Sequence, residues 1–316
     1  MTVGGVLILY AALVGFAGPL ALRRAAWPVR APRLGAAAVL AAAWTVPIAL
    51  VLAGVTIALP ASALSADLGQ LIGACLHRLR AAYGTPTGGI VTAGQVLLVA
   101  VVVRIGWAAG QVAHRRRTES RRHRLLLRLA GRRRAHLSAL VVDHPGAAAY
   151  SLAGRHSAIV VTSGAIELLT EPQLGAVLAH EKAHLVARHH RRQAAAALVA
   201  AVLPVVPLLR EAPARVGRLL EMDADELASE RHEPRVLASA LVAVTGAGSR
   251  LGLANPPPAI ATTTAAGPAA DAVARIHRLL RPPEHLRRHT LTRAAVVGLT
   301  IAPLLLATAP ALVALQ

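Results

Sequence analysis

The sequence contains few cysteine, lysine, aromatic and charged residues. Its single cysteine, Cys75, excludes an intrachain disulfide framework and a zinc site built from cysteines. Aromatic residues make up 2% of the 316 residues, and Lys182 is the only lysine among 34 basic residues, which we interpret as codon bias. Charged residues make up 16% and hydrophobic residues 55%, with a mean hydropathy of +0.54. These values exclude a chain that is soluble throughout.

Four apolar runs predict four membrane-spanning helices, because about 20 apolar residues are needed to cross roughly 30 Å of hydrocarbon. The runs lie at residues 3–22, 34–59, 88–110 and 294–316. The first is too long for a cleaved signal peptide and has its positive charges on the wrong side, so we expect it to remain in the mature protein. Arg104 lies inside the third run. It is either an arginine that snorkels to the interface or a functional intramembrane charge.

Arginine placement predicts the orientation. Four arginines separate the first two runs and ten lie within residues 115–134, whereas only Arg78 and Arg80 lie between the second and third runs. The positive-inside rule therefore puts both termini outside the plasma membrane. We expect a membrane domain at 1–110, a cytoplasmic domain at 111–293 and the last span at 294–316.

The net charge of +19 is concentrated in the basic segment His114–Arg134. Nucleic acid and anionic lipid are the two partners that such a segment suggests. The segment directly follows a predicted span and has no aromatic residues for base stacking, so we expect it to contact the lipid bilayer and no nucleic acid.

An uncharged stretch of 17 residues, 193–209, contains two prolines and lies between Arg192 and Arg210. A single crossing here would separate the two halves of the site described next. We therefore interpret it as a buried or membrane-apposed helix, or a re-entrant turn, and not as a span.

The strongest motif is His180-Glu181-Lys182-Ala183-His184. It lies on a predicted helix that opens with a capping box at Thr170 and continues to about Arg192, after three predicted strands within 138–162. Residues four apart share a helical face, so His180 and His184 can bind one Zn²⁺. Glu181 lies beside them and can accept a proton from the attacking water.

A third ligand is predicted downstream, in Glu221-Met-Asp-Ala-Asp225. Glu221 and Asp225 share a helical face, so Glu221 can bind the metal while Asp225 accepts a hydrogen bond from the far nitrogen of a ligand histidine. The alternative is a basic helix near a membrane together with a solvated acidic face, but it must explain two motifs in matching order.

Residues 154–190 together with Glu221–Ala228 resemble the gluzincin-type integral-membrane metallopeptidases. One branch contains HtpX and the CAAX prenyl proteases, and the other contains the BlaR/MecR antibiotic sensors. The four-span layout resembles BlaR/MecR more closely. The resemblance implies a four-span α-helical membrane protein with a cytoplasmic α+β gluzincin-like domain, in which His180, His184 and Glu221 bind zinc, Glu181 is the general base and Asp225 is the acid of the ExxxD element.

The resemblance also implies a function. A BlaR/MecR-type protein would be a zinc metalloendopeptidase that cleaves a repressor of the BlaI/MecI type in a signalling pathway. The alternatives are an HtpX-like quality-control protease and a non-catalytic membrane receptor or scaffold, although the intact Glu181 argues against the last. The chain ends at Gln316 without a penicillin-binding domain, so we do not expect direct β-lactam sensing.

Two further expectations concern substrate handling. In the HtpX-like branch an Arg-Ile pair lies near the oxyanion, and Arg275-Ile276 matches it, which makes Arg275 a candidate stabiliser of the tetrahedral intermediate, with His232 and His277 as weaker ones. A salt bridge or a lipid contact is the alternative for Arg275. Residues 157–162 are predicted as an edge strand on which an extended peptide docks.

Overall fold

The computed structural model describes residues 3–58, 88–134, 137–154, 157–250, 268–281, 294, 297–298 and 301–306. Three helical stretches within them are long and apolar enough to cross a membrane: Val3–Arg24, Pro32–Ile57 and Thr92–Thr118. They coincide with the first three predicted runs. Most of the predicted fourth run lies outside the described residues, as do Cys75 and the Pro-rich stretch 255–267, and the described part of the fourth run is helical at 301–306.

The helices of the first part of the chain pack around small residues. They are α1 (Val3–Ala12), a π-helical turn (Leu13–Ala17), α2 (Gly18–Arg24), α3 (Trp27–Arg30), α4 (Pro32–Ala58) and α5 (Gly88–Ala130). Helix α5 is continuous over 43 residues. It therefore extends from the third apolar run through the basic segment and crosses the predicted domain boundary at residue 110 without a break.

A four-stranded sheet follows directly. Its strands are β1 (Gly131–Arg134), β2 (Ala139–Val142), β3 (Ala149–Leu152) and β4 (Ala158–Thr162), in the order β1-β2-β4-β3. Strand β2 is antiparallel to β1 and parallel to β4, while β3 is antiparallel to β4.

This order corrects one sequence-based expectation. Strand β4, predicted as the edge, pairs on both sides, because Val160 is opposite Leu140 of β2 and also opposite Tyr150 of β3. Strands β1 and β3 are the two edges of the described sheet, and β3 is the one next to β4. The apolar sequence of β4 agrees with this interior position, since Val160 and Val161 are fully buried.

Six helices complete the described structure. They are α6 (Ser163–Leu168), α7 (Glu171–Val186), α8 (His189–Val202), α9 (Pro207–Ser229), α10 (Pro234–Arg250) and α11 (Pro268–Leu280). The helix predicted to continue to Arg192 ends at Val186 instead. Arg188 adopts a left-handed conformation with φ of 52°, which turns the chain and starts α8 in a new direction.

Helix α9 packs against the apolar helices of the first part of the chain. Its residues Leu208, Leu209, Val216, Leu219 and Leu220 share one buried cluster with side chains of α1 and α4. A second cluster joins the sheet to α7 and α10, and a third joins α7 to α9, α10 and α11. The two predicted halves of the site are thus carried by helices that share a core.

Candidate active site

Helix α7 presents both histidines of the HExxH motif from one face. The predicted capping box is confirmed. The Thr170 side chain accepts a hydrogen bond from the Gln173 backbone N–H, and the Gln173 Oε1 accepts one of 3.0 Å from the Thr170 backbone N–H. This cap fixes where the helix begins. His180 and His184 then lie one turn apart, with their Nε2 atoms separated by 3.1 Å.

Helix α9 brings Glu221 to the same point. The Glu221 Oε1 lies 3.4 Å from His184 Nε2, and its Oε2 lies 3.4 Å from His180 Nε2. The potential ligand atoms of the three residues all lie within 4.8 Å of one another. Helices α7 and α9 therefore unite two motifs that are 37 residues apart in the sequence.

This donor set fits a zinc ion. Zinc binds histidine nitrogens and carboxylate oxygens at about 2.0–2.2 Å in tetrahedral geometry, which separates neighbouring ligand atoms by about 3.3 Å. The observed separations of 3.1 and 3.4 Å are close to that value. Two imidazoles and one carboxylate also leave a fourth position for water or substrate, as catalytic zinc sites do.

Glu181 lies in a pocket beside these ligands, next to the edge strand. Burial raises the pKa of its carboxyl to about 7, and the Ser151 hydroxyl on β3 donates a hydrogen bond to it. A carboxyl group with a pKa near neutrality is suited to accept and return a proton at physiological pH. The position and the pKa of Glu181 both fit the predicted general base.

Asp225 lies one helical turn after Glu221 and supports His180. Its Oδ1 is 3.0 Å from His180 Nδ1, although the direction departs from ideal hydrogen-bond geometry. Asp225 is almost fully buried, and Arg275 donates two hydrogen bonds to its carboxylate, each of 2.7 Å. Burial opposes ionisation, but these Arg275 bonds outweigh it and lower the pKa of Asp225.

The Arg275 guanidinium also approaches Glu221, with its Nη1 3.1 Å from the Glu221 Oε2. Burial disfavours the Glu221 charge, but Arg275 and the histidines hold the pKa of Glu221 well below its usual range. Arg275 thus orients two carboxylates of the site. The role predicted from the sequence, stabilisation of an oxyanion, stays a prediction, and neither His232 nor His277 lines the pocket.

A second chain of contacts supports His184, and the sequence analysis missed it. His184 Nδ1 lies 3.0 Å from His189 Nδ1, and His189 Nε2 lies 2.9 Å from the Asp223 Oδ2. His189 and Asp223 are almost fully buried. When His189 donates Nε2–H to the Asp223 carboxylate, its Nδ1 accepts the proton of His184 Nδ1, which leaves His184 Nε2 free for a metal.

The two ligand histidines differ in their electrostatics when no metal is bound. Burial lowers the pKa of His180, but its contacts with Asp225 and Glu221 outweigh burial and raise the pKa to about 10. Burial lowers the pKa of His184 to about 4, with only partial compensation from Glu221. The metal-free site therefore holds one proton near His180 at neutral pH.

A cavity of about 470 Å³ lies next to the edge strand β3. Residues 149–153 line it together with Glu181 and His184. Much of the remaining lining is apolar and comes from α6, α7 and α10, while Arg218 of α9 pairs with Asp271 of α11 at 2.9 Å on another side. An extended chain along β3 would pass the ligand atoms and Glu181.

Residues 114–224 match the family model described as peptidase family M48. The matched segment contains the whole of α7 and α8 and, on α9, Glu221 and Asp223. Together with the apolar helices, it supports the broad assignment to the membrane metallopeptidases and does not distinguish BlaR/MecR from the other branch. Searches of curated proteins and of solved structures found no match.

Proposed function

We propose that this protein is a zinc-dependent endopeptidase of the plasma membrane. The observation that carries the proposal is the convergence of His180, His184 and Glu221, whose ligand atoms lie within 4.8 Å of one another. Glu181 lies in the adjoining pocket with its pKa raised to about 7. The peptidase match of residues 114–224 supports the same class of reaction.

In the proposed mechanism the two histidines and Glu221 would hold Zn²⁺. When bound, zinc supplies Lewis-acid chemistry, polarising the scissile carbonyl and lowering the pKa of water. Glu181 takes the proton from the attacking water and passes it to the leaving amine. Asp225 orients His180, and Arg275 keeps the Asp225 and Glu221 carboxylates charged and fixed in place.

We propose that the substrate binds as an additional strand on β3. Within the described sheet β3 pairs with β4 alone, so it is an edge strand to which a further strand can be added. Residues 149–153 line the pocket that contains Glu181 and His184. Peptides that pair with β3 would therefore bring their scissile bond to the proposed metal site.

The substrate class is proposed from the resemblance to BlaR/MecR alone. We propose that the substrate is a small cytoplasmic repressor of the BlaI/MecI type. We also propose that the protease itself has four membrane spans, both termini outside and residues 111–293 in the cytoplasm. An HtpX-like protease would instead degrade misfolded membrane proteins without a defined cleavage site. A non-catalytic receptor would bind its partner and leave it intact.

The proposed activity can be tested with the full chain purified in detergent and loaded with zinc. Incubation with unfolded casein, with a repressor of the BlaI/MecI type and with a misfolded membrane protein should reveal cleavage of at least one substrate by mass spectrometry. His184→Ala, which removes a ligand, is the matched inactive control. Failure of the zinc-loaded wild type to cleave any of the three would favour the receptor alternative.

A further inference from the structure

The connection between the two halves of the site is a helical hairpin whose position relative to the bilayer the sequence left open. It consists of the uncharged part of α8, the turn at residues 203–206 and the start of α9. Arg192 and Arg210 flank it. We call residues 203–206 the tip of this hairpin. Three sets of contacts indicate how deep the tip lies in the bilayer.

The tip presses against the middle of the first apolar helical stretch. A Cβ placed on Gly15 would lie 2.7 Å from Val206 Cγ1, so the glycine is needed for this approach. Leu208 lies beside Gly18, where an added Cβ would be 3.4 Å from the Leu208 Cδ2, an ordinary packing distance. Gly15 precedes Arg23 by eight residues, which corresponds to about 12 Å along a helix. The tip therefore lies roughly 12 Å below the level of Arg23.

A second contact gives the depth from another helix. The Nη2 of Arg104 on α5 donates a hydrogen bond of 2.7 Å to the carbonyl of Ala201, in the last turn of α8. Arg104 precedes His114, where the basic segment begins, by ten residues or about 15 Å. Half of a typical hydrocarbon core is also about 15 Å. The two depths agree, although they are measured on different helices.

The chemistry of the contact also fits a bilayer interior. The last carbonyls of a helix have no partner within the helix, and lipid offers no water to satisfy them. An arginine at this depth is costly unless it is paired with a polar group. Arg104 and the C-terminal turn of α8 therefore satisfy each other. This contact replaces the two interpretations of Arg104 drawn from the sequence with a specific structural role.

The surface of the tip is apolar, and its base is charged. Val205 is 75% exposed between Pro204 and Val206, a position that water would disfavour. At the base, the Arg23 Nη2 lies 2.8 Å from the Glu211 Oε1. This ion pair puts Glu211, about one turn into α9, near the level of the arginines that follow the first apolar helix.

We infer that the hairpin α8–α9 enters the bilayer from the side of the basic segments and returns to that side, with Val205 in contact with lipid acyl chains. Arg104 caps its tip. The inference requires that the three apolar helices span the membrane, and it is independent of catalysis. His189 lies at the start of α8 and Glu221 lies on α9. The chain that connects these two site residues therefore passes through the membrane interior.

Spin labelling tests this position directly. With Cys75→Ser as background, a nitroxide is attached at Val205→Cys in the full chain, reconstituted in vesicles of phosphatidylcholine and phosphatidylglycerol. Val103→Cys, beside Arg104 and 63% exposed, is the matched membrane control. Val242→Cys, on α10 and 54% exposed, is the matched aqueous control. All three native valines are exposed, so the labels should be tolerated.

Collision rates of the label with oxygen and with a water-soluble nickel chelate report the depth. We expect the Val205 label to resemble the Val103 label, with oxygen favoured at least several-fold over nickel relative to the Val242 label. A Val205 label that resembles Val242 would overturn the inference. In the background of Arg104→Leu we expect greater mobility of the Val205 label, and unchanged mobility would show that Arg104 does not hold the tip.

Discussion

The Nδ1 atoms of His184 and His189 lie 3.0 Å apart, although the two residues belong to different helices. The left-handed conformation of Arg188 creates this contact, because it turns the chain after α7 and brings His189 back against His184. Asp223 accepts from the other nitrogen of His189. Each ligand histidine is thus connected to a buried aspartate. His180 contacts Asp225 directly, and His184 reaches Asp223 through His189.

We expect His189→Ala to weaken zinc binding by about 10- to 100-fold, the usual effect of removing a partner that orients a ligand histidine. His189→Asn is the matched variant, since its Oδ1 occupies about the position of the lost Nδ1 and still accepts from His184. It should retain most of the affinity. Competition with a chromophoric chelator gives the dissociation constants, and equal losses in the two variants would contradict the proposed role.

Glu181→Gln should separate metal binding from turnover. The amide keeps the size of the side chain but cannot accept the proton, so we expect zinc content to remain near that of the wild type while the cleavage rate falls by about 10²- to 10⁴-fold. Elemental analysis and a peptide cleavage assay measure the two quantities. Turnover close to that of the wild type would refute the assignment of Glu181 as the base.

The sequence was sufficient for features that depend on short-range patterns. The Thr170–Gln173 capping box, the helical spacing of His180 and His184, and the first three apolar runs all follow from local rules that act within a few residues. Three predicted strands were confirmed at nearly their observed bounds. These elements needed no knowledge of what packs against them.

Other features depend on contacts between distant residues. The edge position of β3 follows from which strands pair, and the apolar pattern of β4 does not specify its neighbours. The strand β1, within an arginine-rich segment, had no apolar alternation to reveal it. His189 gained its role from a backbone turn at Arg188, a residue type that rarely adopts positive φ. Asp223, two residues after Glu221, was the one sequence feature that could have pointed to His189.

The pH dependence of zinc binding should reflect the proton held near His180. Its pKa of about 10 means that the metal-free site is protonated at neutral pH, and zinc must displace that proton. The apparent affinity should therefore rise with pH, by about tenfold per unit between pH 6 and 8. His184, with its pKa lowered to about 4, is already neutral and adds nothing to this slope.

Calorimetry in buffers of different ionisation enthalpy measures the protons released, and at pH 7 we expect about one per zinc from His180 and up to about half of one more from Glu181, whose pKa is about 7. Asp225→Asn is the informative control. It removes the contact that raises the pKa of His180, so the slope should flatten even though the affinity also falls. A slope of zero in the wild type would show that His180 is neutral before zinc binds.

Substitution of Arg275 should distinguish its observed contacts from the role predicted by the sequence. Arg275→Gln leaves the buried Asp225 carboxylate without its two hydrogen bonds. Removing one partner of a buried ion pair costs about 3–5 kcal/mol, so we expect a clearly lower midpoint of thermal unfolding and weaker zinc binding. Arg275→Lys keeps the charge but cannot make both bonds, and it should be intermediate in both measurements. If Arg275 acts mainly on the oxyanion, Arg275→Gln would instead lower kcat while the unfolding midpoint and the zinc affinity stay close to those of the wild type.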